Sequence, residues 1–83
     1  MTDSAIAARL INALEAAADR EAGQKTALVS ATIDMLTRAD AGTIETSVSR
    51  KTKTLVFMSA EFRTDSGDRI ATASSVHKVA SSA

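Results

Sequence analysis

At 83 residues the chain has room for one domain with a thin core, so an unaided monomer is expected to be marginal and a partner subunit would help. Its ten Lys and Arg residues balance ten Asp and Glu, which argues against a nucleic-acid-binding module. The absence of cysteine excludes disulfides and thiolate metal sites and suits a reducing compartment.

The apolar fraction is 45%, but much of it is alanine and aromatics contribute only 2%, so the burial energy available is smaller than the count suggests. No apolar run approaches the length of a membrane span, and Met1-Thr2-Asp3-Ser4 lacks the basic start of a secretory signal. The expected location is therefore the cytoplasm, with neither membrane nor nucleic acid as partner.

In chain order, Ser4 to Ala22 is predicted as a helix. Asp3 or Ser4 can cap it, and Gly23 stands where a left-handed terminator belongs. Ile6, Leu10, Ala13, Leu14 and Ala17 form an apolar stripe at helical spacing, widened by Ile11 and Ala18. After Lys25 the period changes to two. Thr26 to Leu36 reads as a strand, with Val29, Ala31, Ile33 and Met35 on one face and Leu28, Ser30, Thr32 and Asp34 on the other. Residues 38 to 42 connect it to a second strand, 43 to 49, and Arg50-Lys51 is expected as a tight turn. The third strand, 52 to 63, sets Val56, Met58, Ala60 and Phe62 against Leu55, Phe57, Ser59 and Glu61. Its two apolar faces suggest cover on both sides. Asp65-Ser66-Gly67-Asp68 is a hairpin turn, and the last strand covers 69 to 79. Ala80 to Ala83 is a small polar tail expected to fray. The whole reads as a single domain: one helix followed by a four-stranded antiparallel meander with open edges that invite pairing with a second copy.

Three stretches carry a resemblance to a known family. Ser30 to Leu36, followed by Arg38 and Ala41-Gly42, resembles a post-helix strand with an "LRPA…AG" connection. Arg50 to Phe57 resembles a basic turn leading into a "GKTLAF"-like strand. Glu61-Phe62-Arg63 through Gly67 to Ala73 resembles an "ELRDxxGxLVATA" hairpin. In this order they resemble the PaaI-type acyl-CoA thioesterases of the hotdog-fold superfamily. The resemblance implies an α+β, hotdog-like fold: one central helix (about 4–22) on an antiparallel sheet of about four strands (about 26–36, 43–49, 52–63 and 69–79). It also implies a homodimer or homotetramer acting on acyl-CoA without a cofactor. Relatives usually carry a helix and a strand hairpin ahead of the central helix, so an N-terminally shortened chain is expected here, with a truncated gene product as a third alternative to an enzyme or an inactive subunit.

In relatives a His-Gly-Gly motif opens that helix and its amides hold the thioester carbonyl; about Asp3, Ser4 and Ala5 occupy those positions here. A carboxylate two turns further on normally acts as base or nucleophile. Counting back from Ile33-Asp34 places Asn12 there, and a small length difference places Glu15 there instead. Asn12 can orient a water but cannot serve as a carboxylate base, whereas Glu15 can, above all if an interface buries it. Ser30 is a candidate helper from the facing subunit's strand. Arg50, Lys51 and Lys53 are candidates for the coenzyme A phosphates. Against these stand plainer readings: Asn12 and Glu15 as ordinary polar residues of a partly exposed helix, Ser30 on a solvent-facing strand, the basic turn as a guarded edge. His77, the one histidine, is expected as an exposed strand residue, and no metal site is expected. The rival to an enzyme is an inactive hotdog subunit that binds acyl-CoA or serves assembly.

Overall fold

A computed structural model describes residues 1–80. Helix α1 spans Asp3–Ala22, followed by strands β1 (Thr26–Met35), β2 (Thr43–Lys51), β3 (Leu55–Arg63) and β4 (Arg69–Val79). The helix begins one residue earlier than expected because Thr2, not Asp3 or Ser4, is the cap: its Oγ1 accepts the Ala5 amide at 3.1 Å. Gly23 ends it at φ 70°, as a left-handed terminator should.

The four strands form one antiparallel sheet in the order β1-β4-β3-β2. This corrects the meander expected from sequence. Only β2, β3 and β4 follow one another in space, while the segment after β1 crosses the sheet so that β1 pairs with β4. Backbone amides of Leu36 and Thr37 both donate to the Ile70 carbonyl and pin the start of that crossing. Gly42 completes it in a place no side chain could occupy. A Cβ there would meet the Arg63 carbonyl oxygen, Phe62 Cε1 at 2.7 Å and Ile70 Cδ1 at 2.8 Å.

One face of the sheet carries the core. From β3 come Val56, Met58, Ala60 and Phe62, and from β4 Ala71, Ala73, Ser75 and His77, all buried; Ile70 joins them at the start of β4. They pack on Ile6, Leu10, Leu14, Ala17 and Ala18 of α1. Three register shifts rearrange the expected alternation, one of them between Phe62 and Arg63, where Ile70 of β4 falls outside the pairing. A bulge in β1 falls between Leu28 and Ser30, so Val29 gains no inward position and is 60% exposed. A second bulge, between Val48 and Arg50, extends β2 through Lys51, so that Arg50 and Lys51 lie in the strand. The turn that was expected there is made by residues 52 to 54, where the Thr52 hydroxyl accepts the amides of Thr54 and Leu55.

The radius of gyration is 13.1 Å, above the roughly 12 Å of a compact chain this long. Among the described residues a single helix is laid on a single sheet, with both sheet edges uncovered. Among the described residues no helix is long and apolar enough to cross a membrane.

Candidate functional site

The flank of α1 nearest β1 gathers the chemistry. Asp19 accepts both the backbone amide of Thr26, at 2.8 Å, and its hydroxyl, at 2.7 Å. These two donors, hydroxyl first, hold the Asp19 carboxyl below its ordinary 3.8. Glu15 lies one helical turn earlier on the same flank, exposed. Across the core from them, His77 sits on β4 opposite Leu28 of β1 and Val56 of β3. It is 0% exposed, which corrects the expectation of an exposed strand histidine. The reason is topological: β4 is an interior strand, and the alternation that buries Ala71 and Ala73 carries His77 to the same face. Its Nε2 lies 2.6 Å from Ser75 Oγ, and its Nδ1 has no hydrogen-bond partner among the described residues. Burial holds the ring below its ordinary 6.5, while the Glu15 and Asp19 carboxylates pull weakly the other way.

The residues singled out from sequence fall in three places. Asn12 and Glu15 are both exposed on α1, Asn12 turned from the buried stripe and Glu15 beside it. Ser30 pairs with Val76 and lines, with Ser49, Phe57 and Ser74, a depression of about 210 Å³ on the sheet face away from the helix. Within one chain, therefore, Ser30 and the helix residues are on opposite sides of the sheet. The basic residues diverge as well. Arg50 pairs with Phe57 on the outer face, and Lys53 is exposed in the β2–β3 turn. Lys51 pairs with Val56, and its Nζ donates to the Glu21 carbonyl at 2.6 Å, satisfying an orphan acceptor at the helix C-terminus. Sequence reasoning did not single out Ser75 and set His77 on the exposed side, though period-two counting from Ala71 would have turned both inward.

At the opposite end of α1, Asp3, Ile6, Met35, Leu36, Thr37 and Arg38 line a second depression, of about 170 Å³. Asp3 is in the first helical turn and pairs with Arg38 at 3.3 Å. Its carboxylate already occupies the positive end of the helix dipole. Both depressions are well short of the roughly 300 Å³ at which ligand pockets begin. The neighbouring edge is apolar and open: Leu28, Val29, Met35 and Leu36, on β1 or just beyond it, are four of the most exposed large hydrophobic residues.

No family model and no curated protein sequence matches this chain. Among solved structures, the fold is similar to an X-ray structure described as a protein from the thioesterase superfamily, with a TM-score of 0.69 and 16% identity. The likeness covers 80% of this chain and 52% of the other, so this chain spans about half the length of that neighbour. At that identity the comparison establishes the fold, and the fold is hotdog-like α+β, one helix cradled by a four-stranded antiparallel sheet.

Proposed function

We propose that this chain is an acyl-CoA thioesterase-like protein of PaaI type, acting as a cytoplasmic homodimer or homotetramer at whose subunit boundary a thioester is hydrolysed. The observation that carries the reading is the helix-on-sheet fold shared with a thioesterase-superfamily structure. An open apolar β1 edge next to the Glu15 flank supports it further. Among the described residues the depressions beside Ser30 and Asp3 are shallow, so a cleft deep enough for an acyl chain calls for a second copy, and pairing along β1 would cover Leu28, Val29 and Met35. In that arrangement Glu15 draws a proton from the attacking water, or Asn12 orients that water; Ser30, on the face away from the helix, takes part only through a further copy of the chain packed face to face. The exposed Arg50 and Lys53 meet the coenzyme A phosphates, and Lys51 joins them only by leaving the Glu21 carbonyl.

Purified full chain assayed against a panel of acyl-CoAs tests the reading. Glu15→Gln should lower kcat by about 100-fold or more if Glu15 is the base, and Asn12→Ala should do so if Asn12 positions the water. Hydrolysis unchanged in both variants removes the assigned roles.

The second reading is an inactive hotdog subunit that binds acyl-CoA or serves assembly. Asp3 favours it, because a carboxylate in the first helical turn repels the oxyanion that the amides there would otherwise stabilise. Binding of a nonhydrolysable acyl-CoA analogue in a calorimeter, with no turnover of the panel, is the outcome that reading expects.

A further inference from the structure

The inward face of β4 runs Ala71, Ala73, Ser75, His77 and Val79. Its first two positions are apolar, as a sheet face beneath a helix should be, and the next two are polar. That departure is costly unless the polar groups are satisfied, and here they are satisfied only in part. Ser75 is 3% exposed and His77 0%, and their side chains meet at 2.6 Å through Oγ and Nε2. Nδ1, also buried, makes no hydrogen bond among the described residues. A neutral imidazole tolerates this, since it can present a lone pair there. An imidazolium cannot, because it must place an N–H at both ring nitrogens, with Nδ1 then unpaired in the core.

The surroundings offer little compensation. From β1 and β3 the cross-strand neighbours of His77 are Leu28 and Val56, neither charged. From α1 the Glu15 and Asp19 carboxylates act on it at longer range, Asp19 being engaged by Thr26 and influenced by Lys25. From β2, Lys51 reaches the helix C-terminus at the Glu21 carbonyl. Lys78, next along β4, is exposed on the other face.

We propose that His77 is a proton-sensitive lock on the packing of the second half of α1 against β1 and β4, closed while the ring is neutral and released by mild acid. Release loosens the flank that carries Glu15 and Asp19 together with the start of β1. The inference rests on the packing of one chain and not on the thioesterase reading. Its direction follows from linkage. The ring takes up a proton more readily unfolded than folded, so the unfolded chain binds more protons below 6.5 and stability falls as pH falls through that value. The limit is about a tenfold drop in the folding equilibrium constant per pH unit.

The experiment uses the full chain without a histidine tag, at one protomer concentration. Because His77 is the only histidine, its ring gives a single set of NMR signals. Those signals should stay at their neutral positions in the folded protein as pH falls through 6.5, while denaturant unfolding loses stability over the same range. His77→Gln, which offers Ser75 an amide in place of the ring nitrogen and does not titrate, should flatten that loss. A folded-state ring that titrates at its ordinary value overturns the proposal, as does a variant that retains the wild-type pH slope. If the variant does not fold, the ring titration alone decides.

Discussion

Gly42 offers a perturbation whose cost can be worked from the structure. It sits where the crossing segment meets the end of β3 and the start of β4. A methyl group added there would fall against the Arg63 carbonyl, 2.7 Å from the Phe62 ring and 2.8 Å from Ile70 Cδ1. Phe62 and Ile70 are both 0% exposed, so neither can swing into solvent to make room. The backbone carbonyl cannot yield without disturbing the hairpin that joins the two strands. Gly42→Ala should therefore behave as core overpacking and destabilise by about 1–3 kcal/mol. For a domain of this size that corresponds to a fall in Tm of roughly 5 to 20 °C. A domain this small holds only about 4–12 kcal/mol in total, so the upper end approaches loss of the fold. The assay is thermal unfolding at fixed protomer concentration, since assembly would otherwise move the midpoint. Gly23→Ala is the comparison: its φ of +70 disfavours a side chain, yet nothing lies within 4 Å of the added carbon. That variant should lose about 1 kcal/mol from backbone strain alone. Gly42→Ala within about 0.5 kcal/mol of wild type would refute the steric reasoning, because a clash with two buried side chains and a backbone carbonyl exceeds that.

Asp19→Asn should weaken the helix-to-β1 junction at neutral pH, since its carboxylate accepts two donors from Thr26. Asp19 is held below 3.8, so its contribution is present above that value and disappears as pH falls through the lower folded value; wild type and variant should converge in acid denaturation curves. Val29→Lys should leave the monomer folded, because Val29 is 60% exposed at a bulge, but should block association along β1 by setting like charges in the interface. Sedimentation equilibrium of wild type and variant checks this, and an unchanged oligomer would move the subunit boundary elsewhere.

Much of the architecture was legible locally. The helix was readable from Ile6, Leu10, Leu14 and Ala17 at helical spacing, and its end from Gly23. The buried face of β3 followed from the alternation of Val56, Met58, Ala60 and Phe62, which the structure keeps without interruption. These features depend on residues close in sequence, so periodicity suffices. The three stretches that resemble a thioesterase family lie in the strands and turns of a fold that a thioesterase-superfamily structure shares.

What only tertiary structure decided was which strand lies beside which. Adjacent antiparallel strands invite a meander, and nothing in the connection at residues 36 to 42 signals that β1 crosses to β4. That choice placed β4 in the sheet interior, buried His77 against Ser75, and left the apolar edge of β1 open. The bulges at Val29 and Ser49 were equally hidden, because one inserted residue reverses every later face without changing composition. The candidate site shows the same division. The family resemblance nominated Asn12, Glu15, Ser30 and the basic residues at 50, 51 and 53. The β1 bulge separated Ser30 from the helix, the β2 bulge turned Lys51 toward the Glu21 carbonyl, and the sheet order turned a histidine expected in solvent into the most confined ionisable group of the core. Local pattern sets what each segment prefers; long-range pairing sets what each side chain faces, and chemistry depends on the second.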